Sequence, residues 1–409
     1  MSKIDKIFAI ETKDSRGKPT ISVTVTSGKA SGTFSVPSGA STGKHEACEL
    51  RDPDGGVKKA IYNINKVIAP ALVGKSVFSQ KLLDHIMIKL DGTPQKKNLG
   101  GNAMIGVSIA IAKTAADVHN TEVYRYLRKL TKIKSSRIVP LVYMNLINGG
   151  KHAHNDLAFQ EYHIVPMTSD VKQAIQIGLK IQDSIEDMIA RDLQIDEIDI
   201  GDEGGFAPKL PNVRKPLEYL QHAINEHPLG CEVRLALDVA ASSFYEEGKG
   251  ILGSGKYLVD GRKISKEELT DIYRNLIKEF NILSIEDPYD EEAFEDFRKL
   301  KNESKIHIVG DDLTVTNIDL VEKAQKRDSI NTMIIKPNQI GTLSETLDTM
   351  KYARENGIDL IVSHRSGETD DDFIADLAYA FGCFGIKAGS PRKHERMIKY
   401  KRLIQISQK

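Results

Sequence analysis

Five short apolar segments, each followed by a charged or polar side chain, constrain the fold of this sequence more than any other feature. They are 282–285 before Glu286, 306–309 before Gly310-Asp311, 333–335 before Lys336, 360–363 before His364-Arg365, and 384–386 before Lys387. The residues that follow successive segments lie between 23 and 28 positions apart. Segments of this length that are rich in Ile and Val are typical of strands buried on both faces, as in a parallel sheet.

Helix-start signals lie between and before these segments. Ser265 is followed three residues later by Glu268, and Thr342 by Glu345, which is the spacing of a capping box. Strands that alternate with helices, with reactive side chains always at the carboxyl ends of the strands, predict a (β/α)8-type barrel of the α/β class. A doubly wound open sheet is the alternative. The closed barrel is favoured, because it directs all five charged ends toward one axis.

The barrel is expected to begin irregularly. Residues 138–145 and 159–165 have the character of strands, and too few residues separate them for a helix. Two helical stretches follow, at 170–192 and 214–227, and the next strand ends at Asp238. Together with the five segments above, these strands give eight, in the order ββαα(βα)6.

A small α+β domain is predicted to precede the barrel. Residues 4–37 contain the alternating pattern of an antiparallel sheet, and residues 56–130 are helical in character. The polar and basic stretch 131–137 is the expected boundary. We therefore expect an N-terminal capping domain at residues 1–131 and a catalytic barrel at residues 138–409.

Composition excludes several classes of protein. The 57 Lys and Arg residues balance the 57 Asp and Glu residues, so no basic excess favours a nucleic-acid partner. The three cysteines lie far apart, which indicates no disulfide framework and favours a reducing compartment. The longest uncharged run, 99–112, is too short to span a membrane, and the N-terminus lacks the apolar core of a signal peptide. We therefore expect a soluble, cytoplasmic protein.

Three acidic residues are expected to converge at the mouth of the barrel. Asp238, Glu286 and Asp311 follow three strands that are neighbours in the predicted order. Without a cation these carboxylates would repel one another and raise one another's pKa, so a divalent ion is expected among them. Oxygen ligands without cysteine favour Mg²⁺ or Mn²⁺ over Zn²⁺. The alternative is that the carboxylates cap helices or pair with Lys and Arg.

Lys336 ends the next strand and is expected to face these carboxylates. A lysine close to bound cations can serve as a base, although a plain salt bridge to Asp311 is an equally good interpretation. Two glutamates are candidate acids, namely Glu203 in a loop of small residues and Glu161 in the second barrel strand. Each could instead be an ordinary loop or surface residue.

Three loops carry candidate binding residues. His364-Arg365-Ser366-Gly367 follows the seventh strand, where barrels often bind phosphate, although an exposed basic turn would have the same composition. Residues 38–43 have the wrong glycine spacing for a phosphate-binding P-loop, so a mobile lid is the better interpretation. His152 and His154 could form a metal pair, but a single substrate-facing histidine is favoured, because no third nitrogen or sulfur ligand lies nearby in the sequence.

Several motifs together resemble the enolase family. They are Asp14-Ser15-Arg16-Gly17, the 38–43 loop, Leu90-Asp91-Gly92-Thr93, Gly201-Asp202-Glu203-Gly204-Gly205, Leu237-Asp238, Ser284-Ile285-Glu286-Asp287-Pro288, Asp311-Asp312-Leu313-Thr314-Val315-Thr316-Asn317, Lys336 with Asn338-Gln339-Ile340-Gly341-Thr342, and Ser363-His364-Arg365-Ser366-Gly367-Glu368-Thr369. The resemblance extends from about residue 4 to residue 402, and the longer motifs are very specific.

The resemblance implies a hydro-lyase that reversibly dehydrates 2-phosphoglycerate to phosphoenolpyruvate with two Mg²⁺ ions. In the family's pattern the first metal is held by Asp238, Glu286 and Asp311, and Ser41 on the closing loop helps to bind the second. Lys336 removes the α-proton, as a lysine base does elsewhere in this superfamily. Glu203 and Glu161 deliver the proton that lets hydroxide leave as water. The residues implied to contact substrate are His152, Glu161, His364, Arg365, Ser366 and Lys387.

The resemblance also implies a homodimer or larger homo-oligomer. His154 and Lys393-His394 depart from the family's usual residues, which affects the expected loop and tail contacts rather than the chemistry. Two other functions are considered: another acid–base lyase of the same superfamily, and a non-catalytic binding role at the cell surface through the C-terminal Lys409. The 38–43 loop and the phosphate motif argue against the first. The intact acid and base residues argue against the second.

Overall fold

The fold begins with a three-stranded antiparallel sheet. The computed structural model describes residues 2–40, 43–134, 138–248 and 255–408. Strands β1 (Lys6–Lys13), β2 (Pro19–Ser27) and β3 (Ala30–Ser35) pair in that order. Ile21, Val23 and Val25 alternate along β2 and are fully buried, as expected of a sheet with one face on the core. The predicted sheet within residues 4–37 is confirmed.

Helices follow this sheet in the chain. They are α1 (Lys58–Asn63) and α2 (Ala69–Leu72), joined by a π-helical turn at Ile64–Ile68, then α3 (Gln80–Asp91), α4 (Gly101–Val118) and α5 (Val123–Leu130). Helix α4 is buried along most of its length and packs on β2 and β3. Gly32 permits the close approach, because a Cβ atom there would lie 2.4 Å from the backbone nitrogen of Thr114. The predicted boundary at 131–137 remains a prediction, since residues 135–137 lie outside the described residues.

The remaining strands belong to the part of the chain that follows residue 138. In chain order they are β4 (Leu141–Asn148), β5 (Glu161–Pro166), β6 (Val233–Asp238), β7 (Tyr245–Glu246), β8 (Lys256–Val259), β9 (Arg262–Ile264), β10 (Ile282–Glu286), β11 (His307–Gly310), β12 (Thr332–Ile335), β13 (Asp359–Ser363) and β14 (Gly385–Lys387). Strand β4 begins later than the predicted residue 138. Ile138 is exposed, and Pro140 immediately precedes the strand and has no backbone N–H to donate to a neighbour.

Eight of these strands close into a barrel, in the order β10-β11-β12-β13-β14-β4-β5-β6. Strand β5 is antiparallel to both β4 and β6, and the other described pairings within the barrel are parallel. This confirms the irregular opening and excludes the open doubly wound sheet. Strands β7, β8 and β9 form a separate small antiparallel sheet that the sequence did not predict.

The helices of the barrel agree with the predicted order. They are α6 (Val171–Leu193), α7 (Lys215–Glu226), α8 (Lys266–Glu279), α9 (Phe294–Ser304), α10 (Ile318–Lys326), α11 (Pro337–Ile340), α12 (Leu343–Glu355), α13 (Phe373–Ala380) and α14 (His394–Ser407). Ser265 and Glu268 form the predicted capping box at the start of α8. The Thr342 side chain accepts a hydrogen bond from the backbone N–H of Glu345 at the start of α12.

The interior of the barrel is apolar at its centre and charged at one end. The apolar cluster consists of Leu141, Tyr143, Val165, Ala236, Leu283, Val309, Ile334 and Ile361. Because β5 runs against its neighbours, its first residue, Glu161, lies beside Asp238, the last residue of β6. The reversed strand therefore brings its N-terminal residue to the same end of the barrel as the carboxyl ends of the other strands.

Within the described residues, no helix combines the length and the apolar character that crossing a membrane would require.

Candidate active site

Lys387 lies at the centre of the charged end of the barrel. Its Nζ atom lies 2.7 Å from Oδ2 of Asp238 and 3.0 Å from both carboxylate oxygens of Glu286. Lys336, which follows β12, contacts Oδ2 of Asp311 in the same way. The structure therefore brings together the three predicted metal ligands and two predicted lysines, all with buried or nearly buried side chains.

Burial and nearby charges shift the pKa values of the three carboxyl groups in different directions. Burial raises the pKa of Asp238, and it raises that of Glu286 well above its usual range, where repulsion from Asp238 adds to the effect. Burial alone would also raise the pKa of Asp311, but the Lys336 ammonium holds it below its usual value. The ion pairs with lysine that the sequence left open are thus present. They do not exclude a cation, because the buried carboxylates at this end outnumber the two lysines.

The chemistry of the donor set fits a hard divalent metal ion. Asp238, Glu286 and Asp311 offer only oxygen ligands, and all three lie at the ends of adjacent strands. Within the described residues, two sets of side chains have ligand atoms close enough together to share an ion: His152 with Glu161 and Glu203, and Asp311 with Asp287 and Asp312. The predicted set of Asp238, Glu286 and Asp311 is not one of them. Asp311 belongs both to the predicted set and to the last of these.

Glu203 and Glu161 both approach His152, and Glu203 also contacts His364. Oε1 of Glu203 lies 3.5 Å from Nδ1 of His152, and Oε2 lies 3.3 Å from Nε2 of His364. Oε1 of Glu161 lies 3.4 Å from the same His152 nitrogen. Burial would raise the pKa of Glu203, as would the charge of Glu161, but the two histidines hold it well below its usual value. Both glutamates are buried, so the alternative of ordinary surface residues is wrong.

The motif after β13 is buried rather than exposed. His364, Arg365 and Ser366 are each no more than 5% exposed, so the alternative of an exposed basic turn is wrong. Both terminal nitrogens of Arg365 donate to Glu46, at 3.0 to 3.3 Å. The Ser366 hydroxyl lies 2.9 Å from Nε2 of His152. The Ser366 hydroxyl and the His152 imidazole are therefore in direct contact, whereas the Arg365 guanidinium is bound by Glu46.

The predicted catalytic and substrate-binding residues line one pocket, whereas the predicted metal ligands Asp238, Glu286 and Asp311 are not part of its lining. The pocket is lined by His152, Gln160, Glu161, Glu203, Lys336, Ser363, His364, Arg365, Ser366 and Lys387. Eight of these ten were candidates from the sequence. His154, in contrast, is exposed and does not line the pocket, as expected for a loop with a single substrate-facing histidine.

The ends of the 38–43 loop lie against the same region. Ser38 pairs with Gly367 through two backbone hydrogen bonds of 2.8 and 2.9 Å. Gly43 lies close to Val315 and Asp312, on the turn that follows β11. Ser41 and Thr42 lie outside the described residues, so the assignment of Ser41 to a metal remains a prediction.

Sequence reasoning missed several residues that hold the site in place. The Gln339 amide donates to Oδ1 of Asp311 at 2.9 Å, and Arg396 lies 2.6 Å from Nδ1 of His364. Glu46 binds Arg365, and Nε2 of His163 lies 2.9 Å from Glu161. Only His163 had a local signal: it follows Glu161 by two residues in a strand, which places both side chains on the same face.

Comparison with known proteins covers nearly the whole chain. Residues 4–127 match the family model described as "Enolase, N-terminal domain", and residues 136–409 match "Enolase, C-terminal TIM barrel domain". A protein named enolase from Methanocaldococcus jannaschii is 44% identical over 99% of this chain and 95% of its own length. Enolases from Methanosarcina barkeri and Thermococcus kodakarensis are 45% and 42% identical, again over 99% of this chain, and over 94% and 95% of their own lengths.

Proposed function

The chain belongs to the enolase family, hydro-lyases that reversibly dehydrate 2-phosphoglycerate to phosphoenolpyruvate, and we propose that the pocket at the mouth of its barrel performs this reaction. One observation carries the proposal. Lys336, which can accept a proton, lines the same pocket as Glu161 and Glu203, which can donate one. Dehydration needs both functions on a single bound substrate.

The substrate phosphate is assigned to the side of the pocket that carries Arg365. Its guanidinium offers a planar fork of donors that suits phosphate oxygens, and Ser366 and His152 line the same pocket. The substrate carboxylate is assigned to Lys387 at the centre. Binding at both ends leaves the α-carbon and the β-hydroxyl between Lys336 and the two glutamates.

Lys336 is the proposed base. Burial lowers its pKa, and the cationic groups of Arg365 and Lys387 lower it further, but the Asp311 carboxylate outweighs these effects and raises it. Lys336 therefore has to lose a proton before it can accept the α-proton, and loss of that proton weakens its ion pair with Asp311. Removal of that proton places further negative charge next to a carboxylate, where Lys387 stabilises it by direct contact.

Glu203 and Glu161 are the proposed acid groups for departure of the β-hydroxyl. They approach His152 from two sides, and His364 lies against Glu203. A proton shared within this buried group can be passed to the leaving oxygen, which then departs as water. Bulk water is excluded, since every member of the group is at most 5% exposed.

A metal cofactor belongs to the enolase family, and we assign two Mg²⁺ ions to this site. Asp238, Glu286 and Asp311 would hold the first, and Ser41 would contribute to the second. When bound, divalent cations stabilise negative charge that develops on the substrate carboxylate. The fit rests on the three buried oxygen donors at adjacent strand ends.

Assembly and location are inferred from the family alone. We assign a homodimer or larger homo-oligomer and a cytoplasmic location. Light scattering at micromolar concentration tests the first, and a monomer would overturn it.

A direct assay tests the proposed function. Purified chain is mixed with 2-phosphoglycerate, and the ultraviolet absorbance of the enol product is followed with Mg²⁺, with a chelator, and after Mg²⁺ is restored. We expect turnover only in the first and third conditions. Full turnover in chelator would overturn the metal assignment, and no turnover in any condition would overturn the function.

A further inference from the structure

His163 lies directly beneath Glu161 on the inner face of strand β5. Its Nε2 atom lies 2.9 Å from Oε2 of Glu161, and both side chains are 2% exposed. Residues two apart in a strand point to the same face, so both side chains enter the barrel interior. The proposed chemistry leaves His163 without a role, although it touches one of the acid groups.

The contact determines which nitrogen of His163 carries hydrogen. A carboxylate oxygen only accepts hydrogen bonds, so the nitrogen that faces Glu161 has to be the donor. The other nitrogen, Nδ1, is buried and has no hydrogen-bond partner in the described part of the chain. A hydrogen on Nε2 satisfies Glu161, whereas a neutral ring with its hydrogen on Nδ1 would set two lone pairs against each other.

Packing holds the ring in place from below. The His163 ring meets the Tyr143 ring edge to face, with 6.2 Å between centroids and 73° between planes. Tyr143 belongs to the apolar cluster that fills the barrel. On the neighbouring strand β6, the residue opposite His163 is Ala236, which belongs to the same cluster. The ring therefore lies between the apolar cluster of the barrel on one side and the carboxylate of Glu161 on the other.

Asn145 binds Glu203, the other proposed acid group, in a similar way. Asn145 on strand β4 is the register partner of His163 on β5. Its amide donates to Oε2 of Glu203 at 3.1 Å. Two polar residues, side by side on adjacent strands, thus each bind one oxygen of one glutamate. Adjacent register partners project to the same face of a sheet, which explains why both reach the pocket from below.

The contact with His163 determines which oxygen of Glu161 faces the residues that line the pocket. While Oε2 is bound to His163, Oε1 lies 3.4 Å from Nδ1 of His152 and 3.3 Å from Nζ of Lys387, both of which line the pocket. We propose that His163 is a positioning residue for the dehydration step, whose Nε2–H fixes Glu161 so that Oε1 is presented to the leaving hydroxyl. This inference rests on the proposed function.

Variants that separate hydrogen bonding from packing test the role. His163→Met keeps a side chain of similar length but removes the donor, whereas the amide of His163→Gln can still donate to Glu161. We expect His163→Met to lower kcat for dehydration by about 10- to 100-fold, a partial loss of general acid help, with KM changed by less than about threefold. We expect His163→Gln to stay within about fivefold of the unmodified chain, because it retains the donor.

Hydrogen exchange distinguishes positioning from a general loss of structure. The α-hydrogen of 2-phosphoglycerate exchanges with deuterated water through Lys336, on which His163 does not act. His163→Met should therefore keep this exchange within about threefold while dehydration falls. The matched control is His307→Met, which removes an imidazole at the other end of a barrel strand, where it contacts Thr332 rather than the pocket. Equal loss of exchange and dehydration in His163→Met, or full activity in it, would overturn the proposal.

The hydrogen position can be measured without any turnover. The chain has 11 histidines, so selective ¹⁵N-histidine labelling gives a tractable long-range ¹H–¹⁵N spectrum, and the signal lost in His163→Gln identifies His163. We expect a donor hydrogen on Nε2; a neutral ring with its hydrogen on Nδ1 would overturn the proposal even if His163→Met fails to fold. Because this spectrum needs no substrate, it separates failure of the inference from failure of the proposed function.

Discussion

Lys387 and Asp238 meet across the mouth of the barrel, with 2.7 Å between Nζ and Oδ2, although their strands are separated by two others. Glu286 completes the group with both oxygens at 3.0 Å from the same ammonium. A buried ammonium among carboxylates that repel one another stabilises the site electrostatically. The same arrangement makes the carboxylates depend on a cation, either the lysine or a metal.

We predict that Lys387→Met destabilises the metal-free chain and that Mg²⁺ compensates. Removing one partner of a buried ion group leaves uncompensated charge, which costs about 3 kcal/mol in the free energy of unfolding. Urea denaturation with and without Mg²⁺ measures this, and Mg²⁺ should stabilise the variant more than the unmodified chain. Lys81→Met, which removes an exposed ion pair with Asp348, is the control and should change little. Equal stabilisation of both chains by Mg²⁺ would contradict the assignment of Asp238 and Glu286.

Base and acid roles are separable by isotope exchange. Lys336→Ala should abolish both product formation and exchange of the α-hydrogen. Glu203→Gln should lower dehydration by about 10³-fold yet retain measurable exchange, because the α-proton can still leave and return. Proton NMR of 2-phosphoglycerate in deuterated buffer with Mg²⁺ measures both. If the lysine variant exchanges and the glutamate variant does not, the two roles are reversed.

Ser41→Ala tests the assignment of the second metal. We expect weaker binding of one of the two Mg²⁺ ions and lower turnover, while the first ion stays bound by its three carboxylates. Isothermal titration with Mg²⁺ in the presence of substrate, together with a Mg²⁺ dependence of kcat, gives both quantities. Unchanged Mg²⁺ kinetics, or the simultaneous loss of both ions, would show that Ser41 has a different role.

Glu368 should make stability depend on acid pH. It is buried, and its Oε2 lies 2.9 Å from Nζ of Lys399. Burial would raise its pKa, but Lys399 and Arg396 hold it below the usual value. Since the folded pKa is lower than the unfolded one, the stabilisation is fully present above the unfolded pKa of about 4.3. It is lost as the pH falls through the folded pKa.

We therefore predict that Glu368→Gln unfolds about 3 kcal/mol more easily at pH 7, because Lys399 loses its partner. The difference from the unmodified chain should shrink as the pH falls below the unfolded pKa of about 4.3, because the carboxyl group of Glu368 then takes up a proton more readily in the unfolded chain than in the folded one. Urea denaturation at several pH values measures it. Glu355→Gln, which removes an exposed carboxylate that pairs with Lys351, should show little difference at any pH. A constant difference down to pH 3 for Glu368→Gln would argue against the ion pair as the cause.

Local patterns in the sequence were enough for most of the fold. Apolar segments of strand length at intervals of about 25 residues predicted the barrel strands. The Ser265–Glu268 spacing predicted a helix start that the structure has. The small sheet formed by β7, β8 and β9 was missed, because strands of two to four residues are too short to show a periodic pattern.

The candidate site could be listed from the sequence but not assembled from it. Lys336 and Lys387 directly follow apolar segments, which placed both at the carboxyl ends of barrel strands. The enolase resemblance suggested their roles, which remain predictions. The link between Glu46 and Arg365 joins residues 319 positions apart, and no local pattern connects them. Such a contact depends on how the N-terminal domain packs over the barrel.

By itself, the sequence determined the barrel strands, the capping of helices and the charged residues at strand ends, since these follow from hydrophobic period and backbone hydrogen bonding over a few residues. Only the tertiary structure decided that Glu161, at the beginning of a reversed strand, shares a pocket with residues at the ends of the others. It also decided which buried charges face each other and that His163 binds Glu161. Strand direction and side-chain pairing arise from closure of the whole barrel, in which residues far apart in the chain exclude water together and fix one another's hydrogen bonds.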